Sequence, residues 1–139
     1  VTAVDFAPTA TSSLKIMADK EDVHINILQR DIFSLFPEYE NSFDYVIEQT
    51  CFCAIHPSRR NEYEYLVRGI LKSGGHIIGL WFPLDKPLSE SGPPYGTSIY
   101  DVKSLFSSNW EIEKEEFSEF SIKPRQGREK LLIFKNIKD

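Results

Sequence analysis

Phe43-Asp44-Tyr45-Val46-Ile47-Glu48-Gln49, then Ser58 to Lys72 with Tyr63, Leu66, Val67 and Ile70 on one helical face, then His76-Ile77-Ile78-Gly79-Leu80-Trp81-Phe82 closed by Pro83: this run decides the fold. Its two ends are short, apolar and partly β-branched, as buried strands are. Its middle has helical spacing, start signals at Pro57-Ser58, and a cationic, glycine-rich stop at Lys72-Ser73-Gly74-Gly75. The spacing therefore predicts a helix over 58–72 between two parallel strands, the last of them buried on both faces.

The pattern continues on either side. Val1 to Asp5 is a short apolar run ending in an acid, and Pro8 opens a helix carrying Ala10, Leu14, Met17 and Ala18. Val23, Ile25 and Ile27 then alternate with His24, Asn26 and Gln29, which predicts a second strand with Asp31 at its exit. Beyond Pro83, residues 84–98 are rich in Pro, Gly and Ser and too long for an ordinary turn. Ile99, Val102, Leu105 and Phe106 suit a short helix, and Trp110–Phe120 and Lys130–Ile137 an antiparallel pair of strands. With no repeat and no break in composition, residues 1–139 read as a single α/β domain.

The 139 residues are 41% hydrophobic and carry 16 Lys and Arg against 21 Asp and Glu, a net charge of −5. That balance argues against nucleic acid as a partner, and no apolar run is long enough to span a membrane. Cys51 and Cys53, one residue apart, cannot form a disulfide framework, so a cytoplasmic setting is expected. All seven glycines lie at or after Gly69, so no glycine-rich strand-to-helix turn of the dinucleotide or P-loop kind occurs in the first half. The apolar start at Val1 reads as though cut from something longer.

Open parallel sheets bind ligands at the carboxyl ends of their strands, and three predicted strands end in polar groups: Asp5, Asp31 and Glu48-Gln49. One acid can accept hydrogen bonds from both ribose hydroxyls. The next can accept from an adenine amine while Ile32 covers the ring. Singly, Asp5 and Asp31 read equally well as caps of local turns, and only the repetition favours a site. Cys51, Cys53 and His56 are too few for a zinc site and read better as small buried groups, so no metal is expected. A Cys-His nucleophile lacks a readable orienting partner, and the alternating glutamates from Glu111 to Glu119 read as a solvated edge.

Taken in order, Glu48-Gln49-Thr50-Cys51-Phe52-Cys53-Ala54-Ile55, Leu71-Lys72-Ser73-Gly74-Gly75, Ser91-Gly92-Pro93-Pro94-Tyr95 and Gly127-Arg128-Glu129-Lys130-Leu131 resemble the thiopurine S-methyltransferase family, most closely its halide and thiol methyltransferase branch. The resemblance implies a Rossmann-like class I methyltransferase sheet, mostly parallel with an antiparallel C-terminal strand, that binds S-adenosyl-L-methionine. It puts Val1–Asp5 at the family's second strand, so the first strand and its glycine-rich loop are expected to be missing from this chain. It matches Asp5 to the ribose-binding acid, Asp31 and Ile32 to the adenine contacts, and Gln49 to a cofactor contact that is tyrosine in several relatives. Pro94 and Tyr95 fall on the substrate side, and Arg128 serves either substrate or fold.

The activity implied is methyl transfer to a small molecule: a thiol, a thiopurine, a halide or thiocyanate. A soft anion attacks a sulfonium methyl in line with little acid-base help, so the lack of a triad is no objection, and no catalytic residue is assigned. The alternative is a non-catalytic, methyltransferase-like remnant serving as a binding or assembly module. A reductase-like nucleotide domain is disfavoured by the missing glycine turn. Because an unfilled central slot would strand two rows of backbone groups, residues 1–5 and 43–48 are expected to pair directly or to accept a strand from elsewhere, self-association included.

Overall fold

The computed structural model describes all residues from Val1 to Asp139, which form two compact units, Val1–Glu38 and Tyr39–Asp139. In the first, β1 (Thr2–Asp5) and β2 (Asn26–Gln29) pair in parallel, in register from Thr2 with Asn26 to Asp5 with Gln29. Helix α1 (Pro8–Lys20) connects them, with proline where a missing N–H does no harm. The second strand is shorter than the alternation predicts. Asp22 takes a left-handed conformation at φ 52°, and the Val23 N–H turns back to the Ala18 carbonyl at 3.0 Å. That closure caps the helix and keeps Val23 out of the ladder.

The second unit holds a four-stranded sheet in the order β3 (Phe43–Gln49), β4 (Leu71–Trp81), β6 (Lys130–Asn136), β5 (Trp110–Glu116). β3 runs parallel to β4, and β6 runs antiparallel to both of its neighbours. Two helices, α2 (Arg60–Ile70) and α3 (Ile99–Leu105), accompany it. The predicted helix over 58–72 is trimmed at both ends: Pro57–Arg59 is a 3-10 turn, and Leu71 already belongs to β4. Fully buried Leu71 pairs with Phe43, while the next partner, opposite Tyr45, is His76. The intervening residues bulge at Gly74, whose φ of +81° suits glycine, so these glycines shape a strand entry rather than stop a helix. The helix end is capped from a distance: the Asn136 Nδ2 donates to the carbonyls of Arg68, Leu71 and Lys72 at 3.3–3.4 Å.

Helical spacing buries Tyr63, Leu66, Val67 and Ile70 of α2 together with Val102 of α3. On the sheet, Ile77, Trp81, Leu132 and Phe134 are buried, and Trp81, Phe106 and Phe134 form an aromatic cluster with centroid separations of 5.1–6.2 Å. β4 is fully buried only at alternate positions, since His76, Ile78 and Leu80 on its other face are half-buried. β5 ends at Glu116, short of the predicted Phe120, and its glutamates pair locally: Glu113 with His76, Glu115 with Lys103 and Lys130. Within the units, β1 is hydrogen-bonded to β2 and β3 to β4. No helix is long and apolar enough to cross a membrane.

Candidate functional site

In the first unit, parallel pairing brings the ends of β1 and β2 to one edge, with neighbouring strands about 4.8 Å apart. Asp5 ends β1 and Asp31 lies just past β2, so both expected acids share that edge. Both are exposed. The Asp5 Oδ1 accepts from the Ala7 N–H at 2.8 Å, and the Asp31 Oδ1 accepts from the Phe33 N–H at 2.9 Å. The capping roles read from sequence are therefore real, yet each occupies only one carboxylate oxygen. Ile32, half-buried, opens the 3-10 turn that Asp31 caps.

In the second unit, Gln49 is exposed at the end of β3, and Thr50 after it has φ +59°, a left-handed conformation costly for a β-branched residue. The residue that holds this turn is Glu48, only 3% exposed. Its Oε1 accepts from the N–H groups of Cys51 at 3.0 Å and Phe52 at 2.9 Å, and its Oε2 from the Tyr63 hydroxyl in a short hydrogen bond. Burial pushes the Glu48 carboxyl above the usual glutamate range against the pull of these donors. Burial, reinforced by the Glu48 charge, holds the Tyr63 phenol well above its ordinary value, so it stays a donor. Sequence reasoning noted Glu48 only as a polar strand end. The available signal was parity: Glu48 alternates with Asp44 and Val46 on the face that meets α2, where Tyr63 is the polar group among Leu66, Val67 and Ile70.

The same turn anchors the 84–98 loop. The Tyr95 N–H donates to the Cys53 carbonyl at 2.8 Å, and the Tyr95 ring meets His56 edge-on at 5.4 Å. Arg60 lies 4.6 Å over the Phe52 ring and its Nη2 donates to the Gly96 carbonyl at 2.9 Å. Within the loop, Lys86 Nζ donates to the carbonyls of Ser91 at 2.8 Å and Pro94 at 2.7 Å. Gly96 is needed there because a Cβ would sit 2.0 Å from the Lys86 carbonyl oxygen. Pro94 is exposed and Tyr95 half-buried, so the structure brings Tyr95 against the β3 turn and leaves Pro94 at the surface.

Arg128 has evident fold contacts. Its Nε donates to Asp85 at 2.8 Å, its guanidinium lies 5.2 Å over Phe82, and its carbonyl accepts from the Leu84 N–H at 2.9 Å. Cys53 is buried, and burial followed by the Glu48 charge pushes its thiol up, which suits a neutral packing group rather than a nucleophile. No group of three or more His, Cys, Asp or Glu side chains is arranged to hold a metal ion.

Solved structures with this fold include an S-adenosylmethionine-dependent methyltransferase from Methanosarcina mazei, with a TM-score of 0.81 at 14% identity over all of this chain and 82% of that one. Another is 1,6-didemethyltoxoflavin-N1-methyltransferase from Burkholderia thailandensis with bound S-adenosylhomocysteine, with a TM-score of 0.74 at 18% identity over 100% of this chain and 61% of that one. At these identities the likeness establishes a class I methyltransferase fold. Among curated proteins, "Probable thiol methyltransferase 2" of Arabidopsis thaliana is 31% identical over 94% of this chain and 58% of its own length. "Thiocyanate methyltransferase 1" of Brassica oleracea is 28% identical over 82% of this chain and 49% of its own. The chain thus spans about half the length of these relatives. Residues 2–136 match the family described as Thiopurine S-methyltransferase, and with β6 antiparallel among parallel strands as the motifs imply, the chain belongs to that family.

Proposed function

We propose that residues 1–139 form part of one methyltransferase domain that uses S-adenosyl-L-methionine to methylate a small soft nucleophile, a thiol, thiopurine, halide or thiocyanate. The observation that supports this best is the pair of exposed carboxylates, Asp5 and Asp31, at one edge of a parallel strand pair, each with only one oxygen engaged locally. The donor set fits the cofactor: paired acceptors at Asp5 for ribose hydroxyls, an acceptor at Asp31 for the adenine amine, and the apolar Ile32 beside it for the ring. Gln49 is a further cofactor contact in this reading. Pro94, Tyr95 and Arg128 serve the substrate side, in keeping with relatives named for thiol and thiocyanate methylation.

When bound, the cofactor supplies an electrophilic methyl group. The chain's own groups bind and orient: Asp5 and Asp31 hold the nucleoside, and the braced 84–98 loop shields the acceptor from water. Arg128, still 42% exposed, offers a cationic environment that favours an anionic acceptor. A cytoplasmic setting fits two free cysteines, and self-association through open strand edges fits the separate sheets.

The test is amide-resolved NMR of this chain titrated with S-adenosylhomocysteine. Expected is weak binding, on the order of millimolar, with the largest shifts at Asp5, Asp31, Ile32 and Gln49. No shift, or shifts confined to residues elsewhere, overturns the cofactor assignment and favours the non-catalytic module.

A further inference from the structure

Glu48, one residue before the end of β3, is a buried carboxylate, and it binds to the two amides that follow a strained residue. Thr50 stays at φ +59° because Cys51 and Phe52 are pulled back onto the Glu48 Oε1, and Tyr63 fixes the other oxygen from α2. Strain of this kind persists only where surrounding contacts overdetermine it, and it concentrates at functional turns. The turn is also flanked by two groups of the proposed function. Gln49 precedes it, and the Cys53 carbonyl at its far end holds the Tyr95 N–H at 2.8 Å. Four residues after Phe52, the last of the turn's amides on Glu48, His56 meets the Tyr95 ring.

We propose that Glu48, clamped by Tyr63, is a positioning residue that sets the 49–54 turn so that the cofactor contact at Gln49 and the substrate-side loop at Tyr95 are mechanically coupled. This rests on the function proposed above for Gln49 and Tyr95. Glu48 touches neither ligand; it acts by fixing the backbone between them. Loosening the clamp should then release Tyr95, which is 32 residues further along the chain than Tyr63, without loosening the sheet.

The experiment compares the wild-type chain with Tyr63→Phe and Glu48→Gln. Tyr63→Phe removes one donor and keeps the ring packing against Phe52. Glu48→Gln retains Oε1 for both amides and places an amide donor toward Tyr63. Hydrogen exchange without ligand is expected to rise about five- to tenfold at Cys51, Phe52 and Tyr95 in Tyr63→Phe, to stay near wild type in Glu48→Gln, and to be unchanged at Ile77 and Leu132 in both. With S-adenosylhomocysteine, the wild type should show a shift at Tyr95 that accompanies the one at Gln49, reduced at least twofold in Tyr63→Phe. Unchanged exchange at Tyr95, or a uniform rise that includes Ile77 and Leu132, overturns the proposal. If wild type gives no ligand response while the exchange pattern is as expected, the clamp stands and the cofactor reading fails.

Discussion

Asp5 and Asp31 sit at the ends of parallel strands as exposed carboxylates holding one backbone N–H each, whereas Glu48, one residue before the end of β3, is buried and saturated by two N–H groups and a phenol. All three are acids at strand ends, yet their chemistry differs because burial decides how many acceptor sites are left. An exposed carboxylate with an oxygen to spare can take a ligand hydroxyl. A buried one must have its charge met inside the protein, so it becomes part of the scaffold.

The sharpest way to break this contrast is truncation. Glu48→Ala strands two backbone amides and a buried phenol and should destabilise the chain by about 2–4 kcal/mol, read from urea unfolding. Asp5→Ala and Asp31→Ala each lose one exposed cap and should cost about 0.5–1 kcal/mol. Equal losses at all three positions would erase the distinction.

The next effect runs the other way. Asp5→Ala should weaken S-adenosylhomocysteine by about 1.5–3 kcal/mol through lost charged hydrogen bonds, far more than its effect on folding. Shift titration of the variant against wild type checks this, and equal affinity would leave Asp5 as a cap alone.

A smaller effect separates the acids by pH. Burial raises the folded-state Glu48 value, so the folded chain holds that proton more tightly than the unfolded one. The associated stability is present below the ordinary glutamate value near 4.3 and is lost as pH rises through the raised value. Unfolding midpoints measured upward from pH 4 should show wild type losing ground to Glu48→Gln as pH rises. The opposite slope would mean that the three donors outweigh burial.

The smallest effect concerns the strained residue itself. Thr50→Gly relieves a left-handed β-branched backbone but frees the unfolded chain, leaving a net gain of about 0.5 kcal/mol in thermal or urea unfolding. A loss larger than that would show that the Thr50 hydroxyl, which donates to the Gln49 carbonyl at 2.7 Å, matters more than the strain.

Much of the architecture was legible because period and punctuation act locally. Pro8 and the spacing of Tyr63, Leu66, Val67 and Ile70 marked helices, and apolar runs ending in Asp5 and Gln49 marked strands. The misread boundaries were those set at a distance. Val23 left β2 because its N–H closes α1, and Lys72–Gly75 joined β4 because Leu71 pairs with Phe43 and Asn136 caps the end of α2. Among the residues proposed for cofactor and substrate, Asp5, Asp31, Ile32, Gln49, Pro94, Tyr95 and Arg128 stand out in the sequence as residue types at strand ends and loops, whereas the pairing of Glu48 with Tyr63 does not.

By itself the sequence determined the strand and helix alternation, the acids at the strand ends and the family motifs, because hydrophobic period, proline and glycine placement and side-chain chemistry are properties of neighbours in the chain. Only the tertiary structure decided which acid is a free acceptor and which a buried clamp. That depends on what packs against each one: a phenol from α2, 15 residues away, closes over Glu48, while Asp5 and Asp31 stay exposed with only a local N–H each. Desolvation and hydrogen-bond saturation are set by such distant neighbours, so no reading of local spacing could rank these three carboxylates.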